Sequence, residues 1–166
     1  MTCQLAKNVP PPLGIHKVNV DGASSEQDNF SSVGVAIKDS NGQVVAALCL
    51  PLQSYYSAEL TEVFALEQGF LLAQELQLPR VIFESDSLAV IQAINDKAMG
   101  STFGHLIQGI LQVFDSFESF HFKHLSRNFN TVAYEIAQYA RRTGSHQIWK
   151  GVAPSFVLPF LHSNLV

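Results

Sequence analysis

Apolar positions fall into two rhythms along the chain: short runs with a strand-like period in the first fifty residues, then spacings of three and four. Pro10-Pro11-Pro12 cannot continue a helix and reads as an extended lead-in. Ile15 to Val20 alternates imperfectly and stops at Asp21-Gly22, which predicts a strand ending in a turn. Val33 to Ile37 and Val44 to Leu50 flank Asp39-Ser40-Asn41-Gly42, and Asn-Gly between apolar runs is a strong hairpin signal. Ser57 opens a helix whose apolar stripe runs to about Leu76, with Glu59 and Glu62 suited to its positive end. Pro79 separates that helix from a short buried strand, Val81-Ile82-Phe83. Helices over Ser87 to Asn95 and Gly104 to Phe114, a loop over Asp96 to Phe103, a fifth strand at Phe120 to His124 and a last helix from Asn130 to Arg142 follow. The segment from Gly151, apolar with Pro154 and Pro159, has no clear assignment.

Three early strands followed by strands alternating with helices predict an α/β fold, a five-stranded mixed sheet with helices packed on it. The Asn41-Gly42 hairpin requires an antiparallel pair, and the βαβ parts require right-handed crossovers. Phe64, Leu71, Val90, Ile94, Ile107, Leu111, Ile136 and Tyr139 are core candidates at helical spacing. The expected organisation is a lead-in at 1–9, one domain at 10–145 and an apolar C-terminal tail at 146–166.

Composition narrows the classes. With 166 residues, 47% hydrophobic and 14% charged, the chain suits one globular domain. Ten Lys and Arg against fourteen Asp and Glu give a net charge of −4, which disfavours salt-driven binding of nucleic acid but leaves a local basic patch or metal-mediated binding open. No apolar run reaches membrane-spanning length. The first residues carry no apolar run of signal-peptide length, so an intracellular protein of nucleus or cytoplasm, not a secreted one, is expected. Cys3 and Cys49 fit neither a disulfide framework nor a zinc site, and Asn29-Phe30-Ser31 reads as a chance sequon.

Three carboxylates stand in suggestive places: Asp21 at the end of the first strand, Glu59 in the first turn of the long helix and Asp86 at the end of the fourth strand. Neighbouring parallel first and fourth strands would bring Asp21 and Asp86 to one end of the sheet, where α/β ligands bind. Clustered carboxylates repel unless a cation or a proton intervenes, and hard divalent ions prefer such oxygens. Singly, each has an ordinary reading: a turn residue, a helix-dipole partner and a helix cap.

The strings Lys17-Val-Asn-Val-Asp21-Gly-Ala23, Gly34-Val-Ala-Ile-Lys-Asp39-Ser-Asn-Gly42, Ala58-Glu59-Leu60, Glu84-Ser-Asp86-Ser87 and His124-Leu-Ser-Arg127-Asn-Phe-Asn130-Thr-Val-Ala133 occur in order from about Pro10 to Arg142. Together they resemble the ribonuclease H domain, in particular the plant ribonuclease H-like proteins related to non-LTR retroelements. The resemblance implies a ribonuclease H-like fold, three antiparallel strands then two parallel. It also implies an endonuclease that uses Mg²⁺ or Mn²⁺ to hydrolyse the RNA strand of RNA–DNA hybrids. Asp21, Glu59 and Asp86 then correspond to the first three of four metal-binding acidic residues. The fourth position carries Tyr134, and a phenol is a poor Mg²⁺ ligand.

By the same resemblance His124 corresponds to a histidine that could shuttle protons; its phase on the strand with Phe120 and Phe122 reads first as a satisfied, partly buried histidine. Tyr55 and Tyr56 replace amides that contact the 2′-hydroxyl, and either stack on substrate or pack the loop. Arg127 contacts phosphate or caps the sheet edge, and Asn130 joins the substrate-binding set. An alternative follows from Tyr134, the acidic balance and the apolar tail: a weakened or inactive module that binds nucleic acid, pairs as a homodimer or takes a protein partner through that tail. An exonuclease of the same superfamily is disfavoured, because Asp21-Gly22-Ala23 lacks a partnering Glu.

Overall fold

The computed structural model describes residues 9–96, 104–112 and 116–161. Six strands, β1 (His16–Ser25), β2 (Phe30–Lys38), β3 (Val44–Leu52), β4 (Arg80–Ser85), β5 (Ser119–His124) and β6 (Gln147–Lys150), form one sheet in the order β5-β4-β1-β2-β3-β6. Contacts β1–β4 and β4–β5 are parallel, and the remaining three are antiparallel. Among the described residues four α-helices complete it: α1 (Ala58–Glu75), α2 (Leu88–Asn95), α3 (Gly104–Gln112) and α4 (Thr131–Thr143). Most of the expected loop after α2, and the end expected for the third helix, lie outside the described residues. Among the described residues no helix is long and apolar enough to cross a membrane.

The inner strands β1, β2 and β4 and most of β3 are buried on both faces, and their alternate residues feed two cores. Val18, Val20, Val33, Val35 and Phe83 pack beneath α1, with α2 and α3 contributing Val90, Ile94 and Ile110. The opposite face offers Ala36, Ala47 and Cys49 to Val132, Ile136 and Ala140 of α4. Of the expected core residues, Leu71 is instead exposed, and Phe64 and Tyr139 are half-buried.

Two elements differ from expectation, β1 and the C-terminal region, while the β2–β3 hairpin forms as read. β1 does not stop at Asp21-Gly22: Asp21 pairs with Gly34 and the strand continues to Ser25, because β2 offers it an uninterrupted partner. The Asn41-Gly42 hairpin closes through the Asp39 carboxylate, which accepts the amides of Asn41 and Gln43, while Gly42 alone takes a left-handed φ of 77°. The sheet has six strands, not five, because the region expected to be a tail folds back. β6 adds to β3, and the 3₁₀ segment Ser155–Phe160 seats fully buried Val157 in the α4 core, with Phe156 stacked on Tyr139 at 4.1 Å.

Candidate active site

The parallel β1–β4 pairing sets Asn19 beside Glu84, so Asp21, two residues further on, and Asp86 emerge at the same end of the sheet. Helix α1 crosses that end. Its start is set by Ser57, whose Oγ accepts the Leu60 amide and whose carbonyl accepts from Thr61. Gly22 allows a close approach there: a Cβ on it would lie 2.7 Å from Thr61 Cγ2 and 3.0 Å from the Thr61 backbone. Without that Cβ, Glu62 reaches β1, and its Oε1 accepts the Gly22 amide at 2.9 Å. Ser85 Oγ donates to the other carboxylate oxygen, Oε2, at 3.3 Å.

Asp21, Glu62 and Asp86 thus form one cluster, each offering a ligand oxygen within 4.8 Å of the others. Glu59 is not part of it. It is exposed, three residues and about 4.5 Å earlier along the helix axis, beyond the strand that Glu62 meets. The stripe that continues through buried Leu66, Gly69 and Ala73 runs through both Glu59 and Glu62 in the sequence, so it offered either carboxylate.

Crowding perturbs the acids. Burial first, then the charge of Asp86, pushes the Asp21 carboxyl up to about 7, against smaller lowering contributions from Glu62, the Gly22 amide and Arg127. Burial and the charge of Asp21 hold Glu62 well above the usual carboxylate range. The pair therefore retains a proton near neutrality unless a cation replaces it.

The other expected residues distribute around this cluster. Arg127, almost wholly exposed, points Nε at Asp86 Oδ2 across 3.4 Å. His124 is exposed at the end of β5, not tucked among the phenylalanines, and its Nε2 donates to the Asp86 carbonyl at 3.2 Å. Asn130 is 2% exposed, with its amide engaged inside the protein: Nδ2 donates to the Val20 carbonyl at 2.9 Å and Oδ1 accepts from Asn19 at 3.4 Å. Its place in the fold is to tie the start of α4 to β1 one residue before Asp21. Tyr56 packs edge-on against Phe64 at 5.0 Å, and Tyr55 is half-buried. Tyr134 lies in the first turn of α4 and is 44% exposed.

Comparison with known proteins gives one family and several relatives. Residues 19–140 match the profile of a family described as reverse transcriptase-like. A protein of Arabidopsis thaliana, provisionally named a ribonuclease H protein, is 30% identical over 136 residues, 80% of this chain; those residues span only 21% of that relative's length. The fold resembles RNase H1 of Halobacterium salinarum, with a TM-score of 0.71 at 19% identity over 77% of this chain and 98% of the other. It also resembles the compost-derived LC11-RNase H1 in complex with an RNA/DNA hybrid, with a TM-score of 0.69 at 18% identity over 78% and 99%. At such identities the likeness to these structures is one of fold.

Proposed function

Because this chain belongs to the reverse transcriptase-like family, we propose that it is a ribonuclease H-type endonuclease hydrolysing the RNA strand of RNA–DNA hybrids. The observation that carries this reading is the convergence of Asp21, Glu62 and Asp86 at the ends of β1 and β4. The donor set suits Mg²⁺ or Mn²⁺ on its own chemistry. Three carboxylates, two of them buried, face one another at a cost that a hard divalent cation would relieve. Asp21, Glu62 and Asp86 would hold the metal, which when bound supplies an activated water and charge stabilisation at the leaving oxygen.

The chain's own groups prepare that centre. The Gly22 amide and Ser85 hydroxyl fix the Glu62 carboxylate, and Asn130 fixes β1 against α4 beside Asp21. Arg127 holds a guanidinium beside Asp86, where it can meet an incoming phosphate. His124 keeps an exposed imidazole at the rim, able to pass protons to bulk water. The hybrid as substrate rests on the family and on the hybrid-bound neighbour. Action in nucleus or cytoplasm belongs to the same proposal, and the free thiol of buried Cys49 suits a reducing compartment.

Tyr134 favours a second reading, a disarmed module that still binds nucleic acid or a protein partner. One assay separates the two: cleavage of a labelled RNA–DNA hybrid in Mg²⁺ and in Mn²⁺. The native chain should cut the RNA strand, Asp21→Asn and Glu62→Gln should abolish cutting, and Glu59→Gln should retain it. Unchanged cleavage in Glu62→Gln would sink the assignment. An inert native chain that gains activity in Tyr134→Asp would establish the second reading.

A further inference from the structure

Away from the carboxylates, a cavity of about 460 Å³ opens where the entry to β1, the β2–β3 turn and the segment after β6 meet. Pro10, Pro11, Gln43 and Val152 form part of its walls, and Lys17 and Lys38 reach it from the sheet. The two lysines are direct partners across β1 and β2, each only 8% exposed. Like charges directly opposite on neighbouring strands repel, and a cation shielded from water is stabilised by a counter-charge.

Only Lys17 has a carboxylate within ion-pair distance among the described residues. Lys17 pairs with Glu84 at 3.5 Å and donates to the Val9 carbonyl. Glu84 is also used by Asn19, whose Nδ2 donates to it at 3.2 Å. Lys38, which lines the cavity, has no carboxylate within 4.0 Å and no side-chain hydrogen bond among the described residues. Burial pushes Lys38 below its ordinary value; the charge of Glu84 opposes this, and Lys17 adds a smaller lowering.

We propose that this cavity binds a small organic anion, a phosphate or carboxylate group seated on Lys38 and Lys17 with an apolar body against Pro10, Pro11 and Val152. Lys17 lies four residues before Asp21 on β1, about 13 Å away, so the site is separate from the acidic cluster. The cluster repels anions, whereas the cavity carries two cations for one anion.

The test is titration calorimetry of the full chain with inorganic pyrophosphate and with benzoate, both in EDTA to keep metal-bridged binding at the carboxylates out of the signal. Saturable binding of one probe, at least tenfold weaker in Lys38→Met and unchanged in Asp21→Asn, is expected, and the probe that binds assigns phosphate or carboxylate. A second measurement needs no variant: reductive methylation of Lys38 in the native chain, followed by mass spectrometry, should slow when that probe is present. Absence of saturable binding by both probes, equal binding by Lys38→Met, or methylation indifferent to the probe overturns the proposal.

Discussion

In metal-free protein, the stability should fall as the pH rises, and Asp21 sets the least size of the effect. Its carboxyl titrates at about 7 in the folded chain against 3.8 in the reference state. An acid whose folded value is raised binds more protons folded than unfolded, so its ionisation opposes folding. The penalty begins above the unfolded value, grows through the interval and levels off above the folded one. Full ionisation costs about 4 kcal/mol, of which about 3 kcal/mol falls between pH 5 and pH 8.5. Glu62 is raised too, so it adds to the same trend. The assay is urea denaturation in EDTA at a series of pH values, on the native chain and on Asp21→Asn. The native chain should lose at least that amount over the interval. The variant, freed of the Asp21 charge, should show a flatter profile and be the more stable of the two at pH 8.5. Saturating Mg²⁺ should flatten the native profile by occupying the carboxylates. A native profile that is flat in EDTA, or an Asp21→Asn profile with the native slope, would refute the account of proton sharing at this cluster.

Other perturbations probe the scaffold around the site. Gly34→Ala should cost about 3 kcal/mol or more by chemical denaturation, because the new Cβ would fall 2.3 Å from the Ala133 carbonyl oxygen and 2.4 Å from the Ala137 nitrogen, both backbone atoms of α4. Lys17→Met should cost about 3 kcal/mol by stripping buried Glu84 of its cation; a neutral result in the same measurement would show that Asn19 alone satisfies that carboxylate. Arg127→Ala should leave stability within about 1 kcal/mol, since the side chain is 87% exposed, yet weaken hybrid binding in a filter or anisotropy assay.

The sequence alone determined the order of elements and most of their bounds, because period, caps and turn residues act over a few neighbours. Ser57 caps α1 as read, the Asn41-Gly42 turn joins β2 to β3, and Asp21 and Asp86 meet once β1 and β4 run parallel; the cap of α2 is Ser87 where Asp86 was the candidate. What lay beyond it was decided by contacts between distant segments. Asp21-Gly22, a turn by local chemistry, remains strand because Gly34 and Val33 of β2 pair with it. The apolar tail becomes a sixth strand and a 3₁₀ segment because β3 leaves an edge to pair and α4 a surface for Val157 to cover. Glu59 and Glu62 differ by less than one helical turn, so neither periodicity nor capping separates them. Only the axial position of α1 over β1, set by the missing Cβ of Gly22 against Thr61, brings Glu62 to Asp21 and leaves Glu59 in solvent. Likewise Lys17 and Lys38 are ordinary strand lysines until β1 and β2 are in register, which places two like charges side by side beneath a cavity. Local sequence carries the information for elements; the distance between two charges on different elements exists only once those elements have packed.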